Sequence, residues 1–174
     1  MLRYNVTLAA LCGAAFAVAG PASATTMEKL TFDDIVAAST ACVVAEAGDV
    51  SYTEINGSVF TLTSFTVTKA AFGLDEGAQF TLATPGGRLS GGSVSMTEVN
   101  AGAPRFFKSR ESLMLIEPAS GGNYRLVGYN QGLFNVFDGN AQLPFSIGGP
   151  VDVDEAIDIV NERRSRGPGD GIAD

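Results

Sequence analysis

Apolar positions fall into blocks of different period along the chain, and each block predicts a different element. Met1–Ala24 reads MLRYNVTLAALCGAAFAVAGPASA: a start carrying Arg3, an apolar run from Val6 to Gly20, a break at Pro21, then the small residues Ala22-Ser23-Ala24. That layout is a secretory signal peptide with cleavage after Ala24. The run is too short for a membrane span, which needs about 20 apolar residues, so no stable membrane insertion is expected after cleavage. A lipid anchor on Cys12 is the competing reading, and the bulky Leu11 before it argues against that.

A short helix follows. Thr31 is placed to act as N-cap, Asp34 closes a capping box, and Leu30 and Ile35 are spaced as a hydrophobic staple. Asp33 and Asp34 complement the helix dipole, and the helix is expected to end near Ser39-Thr40.

From Ala41 to Asp138 the chain is written in strands, beginning with Ala41–Glu46. Val59–Val67 (VFTLTSFTV) has apolar positions at Phe60, Leu62, Phe65 and Val67, where a step of three interrupts the period of two. A β-bulge or bend near Thr63-Ser64 would keep all four on one face. Gln79–Ala83 ends in a turn at Pro85-Gly86-Gly87, and a second turn at Gly91-Gly92 leads into Ser93–Val99 as a partner strand. Leu113–Ile116 is apolar without alternation, which marks a strand covered on both faces. After the loop Pro118–Asn123, Tyr124–Tyr129 and Leu133–Asp138 complete what reads as an antiparallel meander closed, or nearly closed, into a small β-barrel.

The end returns to helical spacing. Asp152 is a candidate N-cap, Val153, Ala156, Ile157 and Val160 share one face, and Arg163, Arg164 and Arg166 suit the C-terminal end. The expected organisation is a signal peptide over 1–24, a β-barrel domain with its short N-terminal helix over 25–150, a C-terminal helix over 151–166 and a disordered tail over 167–174.

Composition narrows the chemistry. The 174 residues include no His and two Cys, with 11 Lys+Arg against 19 Asp+Glu for a formal charge of −8. Without imidazole there is no Ser-His-Asp or Cys-His pair and no His-bound zinc or haem. The acidic balance argues against nucleic acid, whose backbone is bound through Lys and Arg. Cleavage after Ala24 removes Arg3 and no acid, leaving 150 residues at −9, with Cys42 as the one thiol. No internal disulfide can then form, and Cys42, inside the apolar run Ala41–Ala45, reads as a buried inert thiol rather than a reactive one. The location implied is secreted or periplasmic.

Several runs carry an overall likeness: LTFDDIVAASTACVVAEAGDV, SFTVTKAAFG, TLATPGGRLSGG, GAPRFFKSRESLMLI and YRLVGYNQGLFNV. Over Leu30 to about Asp138 the chain resembles uncharacterised bacterial exported domains, in which a short helix precedes a Val-rich strand and a Pro-Gly-Gly hairpin leads to a Gly-Ala-Pro-Arg-Phe segment. More distantly, the order of helix, strand, long strand and corner is similar to the netrin-like domain of tissue inhibitors of metalloproteinases. That resemblance implies a mainly β fold: a small antiparallel OB-like or netrin-like β-barrel flanked by the two helices. It also points to a protease inhibitor. The inhibitory mechanism does not carry over, because those proteins use an N-terminal cysteine and disulfides, whereas here the mature chain would start at Thr25 with Cys42 alone.

No G-x-S-x-G, no Gly-Lys phosphate loop and no Cys-x-x-Cys is present. The acids Asp152, Asp154, Glu155 and Asp158 lack a calcium-loop pattern, and helix starts collect acids for dipole reasons. Two features suit binding. The Gly-rich hairpin at Gly86, Gly87, Arg88, Gly91 and Gly92 would expose backbone donors beside a bidentate guanidinium, unless its glycines serve turns alone. Arg105 with Phe106 and Phe107 is either a rim arginine over core rings or an Arg-aromatic hot spot. The function expected is therefore an exported non-enzymatic binding domain without a cofactor, its partner another exported protein such as a protease. A hydrolase acting through two carboxylates and a structural envelope or matrix protein are the alternatives.

Overall fold

The structure is a computed structural model that describes residues 28–91 and 94–167. Met1–Ala24, read above as a signal peptide, together with Gly92 and nearly all of the expected tail, lies outside the described residues.

Helix α1 (Phe32–Ala38) forms where its capping residues place it. The Thr31 hydroxyl accepts from the Asp34 N–H at 3.1 Å, and the Asp34 carboxylate accepts from the Thr31 N–H at 3.1 Å. Leu30 and Ile35 pack into the same apolar cluster, as a staple requires. The Leu30 N–H donates to the Gln131 side-chain oxygen at 2.9 Å, which anchors the helix entry to a distant loop.

Two 15-residue strands, β1 (Ala41–Ile55) and β2 (Ser58–Phe72), form one long antiparallel ribbon. Both are longer than their apolar runs predict. Their turn is Asn56-Gly57, with φ of 53° and 83°, the pair of left-handed residues that a two-residue hairpin turn uses. The expected bulge near Thr63-Ser64 is on the partner strand instead. The register steps from Ala47–Phe65 to Val50–Thr63, which places the extra residue in β1 at Gly48-Asp49. The Ser64 hydroxyl holds it, accepting from the Asp49 N–H at 2.8 Å. In β2 one face keeps a period of two through buried Val59, half-buried Thr61 and buried Thr63, Phe65 and Val67, while Phe60 and Leu62 lie half-buried on the opposite face.

The remaining strands are β3 (Gln79–Pro85), β4 (Gly87–Gly91), β5 (Val94–Glu98), β6 (Glu111–Pro118), β7 (Tyr124–Leu126), β8 (Leu133–Phe137), β9 (Asn140–Gln142) and β10 (Pro150–Asp152). Strands β4 and β5 make a separate two-stranded ribbon, and the other eight form one sheet. The order is not the expected simple meander. β7 lies between β3 and β6, and its Tyr124 pairs in parallel with Leu82 of β3. Pairings β1–β2, β2–β3, β3–β7, β7–β6 and β6–β1 return to their starting strand.

β6 explains its own composition. One edge pairs with β1 over Glu111–Ile116, so β8 and β7 must share the other edge. Its faces are both covered: Leu113 and Leu115 belong to the cluster beneath the helices, Met114 and Ile116 to the cluster inside the circuit of strands. The same division runs through β1, where Cys42 and Val44 face the helices and Ala41, Val43 and Ala45 face inward. Each fully buried Val, Leu or Ile contributes roughly 1.5–3 kcal/mol, so these two clusters supply most of the driving force.

Helix α2 (Val153–Arg166) starts at Asp152, whose carboxylate accepts from the Asp154 N–H at 2.8 Å. Val153, Ala156 and Val160 are buried in the cluster that also holds α1. Arg163 reaches Asp33 of α1 at 3.3 Å, and the Arg164 guanidinium stacks 3.6 Å above the Phe72 ring. The helix is thus part of the core rather than an appendage to it.

Candidate binding cleft

Past the Gly48-Asp49 bulge, the inward face of the β1–β2 ribbon continues as Val50 and Tyr52, opposite Thr63 and Thr61. The ribbon here runs past the buried core, and the β4–β5 hairpin lies across it. Between hairpin, ribbon and the segment Val99–Phe107 is a cleft of about 790 Å³.

Two glycines make that crossing possible. Gly86 has φ +92°, is buried, donates to the Val59 carbonyl at 2.7 Å and accepts from the Thr61 hydroxyl at 2.7 Å. Gly87 has φ +142°, and a Cβ there would lie 2.7 Å from both the Tyr52 ring and the Thr61 hydroxyl. A side chain at Gly87 would push the hairpin off the ribbon, and one at Gly86 would meet the Glu98 carbonyl at 2.9 Å, within the hairpin's own far strand. Glu98 fastens the far strand: its carboxylate accepts from the Val59 N–H at 2.8 Å and from the Asn100 amide at 3.1 Å. Those bonds, the Val59 one first, hold the carboxyl below the usual range.

The Val99–Phe107 segment is braced from behind. Asn130 donates to the Gly102 carbonyl at 3.1 Å, and Tyr129, held at φ +71°, directs its hydroxyl to the Ala101 carbonyl at 3.5 Å. A tyrosine in the left-handed region is uncommon and marks a position fixed by its surroundings. Phe106 packs edge-on to Phe65 at 5.0 Å, so this ring is an anchor into the inner core. Arg105 and Phe107 on either side of it face solvent, Phe107 at 70% exposure.

Of the residues chosen from sequence, Gly86, Gly87, Arg88, Arg105 and Phe106 all line this one cleft. Gly91 is at the end of β4, and Gly92 lies outside the described residues. In the Arg105-Phe106-Phe107 group one ring is thus packed on the core while the other ring and the arginine are exposed. Val50, Tyr52 and Val99 were not apparent from sequence. They line the cleft as exposed apolar side chains, Val99 at 83%, because ribbon and hairpin diverge beyond the core.

A charge signal in the sequence could have found the site. Residues 86–110 carry Arg88, Arg105, Lys108 and Arg110 against Glu98 alone, a local +3 in a chain of −8, which leaves −11 elsewhere. Lys108 pairs with Asp49 at 2.7 Å, which lowers the Asp49 pKa and raises that of Lys108. Arg88, Arg105 and Arg110 have no ion-pair partner among the described residues.

A larger cavity of about 1050 Å³ lies on the other side of Pro85, lined by Ile55, Phe60, Arg125 and Tyr129. Its arginine is already bound to Glu117 at 3.0 Å. Unpaired cations and exposed apolar groups meet in the smaller cleft, which makes that the stronger site. Among the described residues no three His, Cys, Asp or Glu gather as a metal site. In the acidic start of α2, Asp152 caps the helix and Asp154 pairs with Lys69. Cys42 is buried, and desolvation pushes its thiol up to about 12, far from a reactive thiolate.

No protein-family model, curated protein or solved structure matches the chain.

Proposed function

We propose that this chain is an exported, non-catalytic binding domain that engages a protein partner through the cleft between its β4–β5 hairpin and its β1–β2 ribbon. The single observation that carries the reading is the convergence of Arg88 and Arg105, both exposed and without an ion pair among the described residues, with exposed Val50, Tyr52, Val99 and Phe107. Interfaces draw most of their affinity from arginine and aromatic anchors of this kind.

The scaffold is an OB-like barrel of netrin-like character. Support comes from the circuit of pairings through β1, β2, β3, β7 and β6, with the parallel bridge between β3 and β7. Export rests on the signal-peptide layout of Met1–Ala24. A co-exported protease is the partner class that the netrin-like resemblance suggests.

Affinity capture from the producing organism's medium and periplasm tests the reading, with the wild-type protein compared against Arg88→Ala/Arg105→Ala. Selective capture of one protein that the variant loses is the expected result. Equal capture by both overturns the cleft as the site.

A further inference from the structure

We infer that the occupant of the hairpin cleft is an acidic segment of extended peptide carrying at least one large apolar side chain. This rests on the cleft being the binding site and names the chemistry it takes.

Charge complementarity gives the first argument. The excursion 86–110 holds +3 while the rest of the chain holds −11, and with Lys108 paired to Asp49 it still carries Arg88, Arg105 and Arg110 without an ion pair among the described residues, a local concentration of cations that attracts an anion. Among the described residues lining the cleft the one carboxylate is Glu98, whose oxygens are taken up by the Val59 N–H and the Asn100 amide, so it forms no ion pair with Arg88 or Arg105. Guanidinium groups bind carboxylates through two parallel hydrogen bonds, which favours Asp and Glu side chains as the anions.

Apolar exposure gives the second. Val50, Tyr52, Val99 and Phe107 present aliphatic and aromatic surface beside those cations. A sulfated or uronic polysaccharide would leave that surface wet, whereas a Leu or Phe side chain would cover it. The third is the main chain. β4 pairs only with β5, so the ribbon has edges without a partner strand among the described residues. An extended peptide supplies matching N–H and C=O groups to such an edge, which a lipid surface does not.

Selection of a random dodecapeptide library on the purified protein tests this, followed by fluorescence anisotropy of the enriched peptides. Enrichment should favour net charge of about −3 or below with at least one Phe, Leu, Ile or Tyr, since two guanidinium contacts plus one apolar anchor set the requirement. Arg88→Gln/Arg105→Gln should weaken binding at least about tenfold with its melting curve unchanged, and Phe107→Ala by a smaller factor. If the double variant fails to fold, wild-type affinity should still drop several-fold between low and high salt. Enrichment of neutral or basic peptides, or no enrichment, overturns the inference. So does binding to heparin, to anionic phosphatidylglycerol vesicles or to a second copy of the chain in its place. Failure here alongside capture that depends on the two arginines would reject the peptide chemistry and retain the cleft.

Discussion

Glu98 of β5 accepts a hydrogen bond from the backbone N–H of Val59 in β2 at 2.8 Å, so a side chain of the hairpin satisfies the main chain of the ribbon it lies on. The cleft exists because of this tie. Without it the hairpin would be held there chiefly by Gly86 and its two short hydrogen bonds.

Glu98→Ala therefore releases the hairpin while sparing the two apolar clusters. Amide exchange at Val59 should speed up, with no comparable change at Val43 or Leu115. The wild type should lose the same tie in acid: a carboxylate with a lowered pKa contributes stability that is present above its unfolded value of about 4.3 and is lost as pH falls through the folded value. Exchange at Val59 that is insensitive to both the substitution and acidification would show that the bond does not hold the hairpin.

Gly87→Ala places a methyl against Tyr52 and Thr61 at a left-handed φ, and overpacking of that kind costs about 1–3 kcal/mol. A lower unfolding midpoint together with weaker partner binding is expected. A variant as stable as the wild type would mean that hairpin and ribbon are not in close contact.

Stability and binding should separate between two apolar substitutions. Leu115→Ala removes a fully buried side chain from a strand covered on both faces and should cost about 2–5 kcal/mol. Phe107→Ala, at 70% exposure, should change stability by less than about 0.5 kcal/mol while reducing partner affinity. Denaturant titration of both proteins measures the contrast.

Cys42 should resist a thiol reagent at pH 8 in the folded protein and react only after denaturation. Its pKa rises from 9.0 to about 12 on folding, so its contribution to stability is intact below the unfolded value and is lost as pH climbs toward the folded one. The slope is at most about 1.4 kcal/mol per pH unit. Unfolding free energies between pH 8 and 10, compared with those of Cys42→Ala, isolate this effect; equal slopes would place the thiol in contact with water.

Local rules made several elements legible from the chain alone. The capping box of Thr31 and Asp34, the two-sided burial of Leu113–Ile116 and the α2 face of Val153, Ala156 and Val160 all depend on neighbours within a few residues. The glycines at Gly86 and Gly87 and the arginines at Arg88 and Arg105 were equally visible as candidates, because turn chemistry and charge are written residue by residue.

Pairing between distant segments decided the rest. Whether the extra residue sat in β1 or β2 depended on Ser64 finding Asp49 across the ribbon, which no single strand records. Insertion of β7 between β3 and β6 depended on which edges those strands left free. The cleft is of the same kind. Val50, Tyr52 and Val99 look like ordinary strand and loop residues in sequence. They meet Arg88 and Arg105 only because the ribbon runs past the core and the hairpin folds back across it.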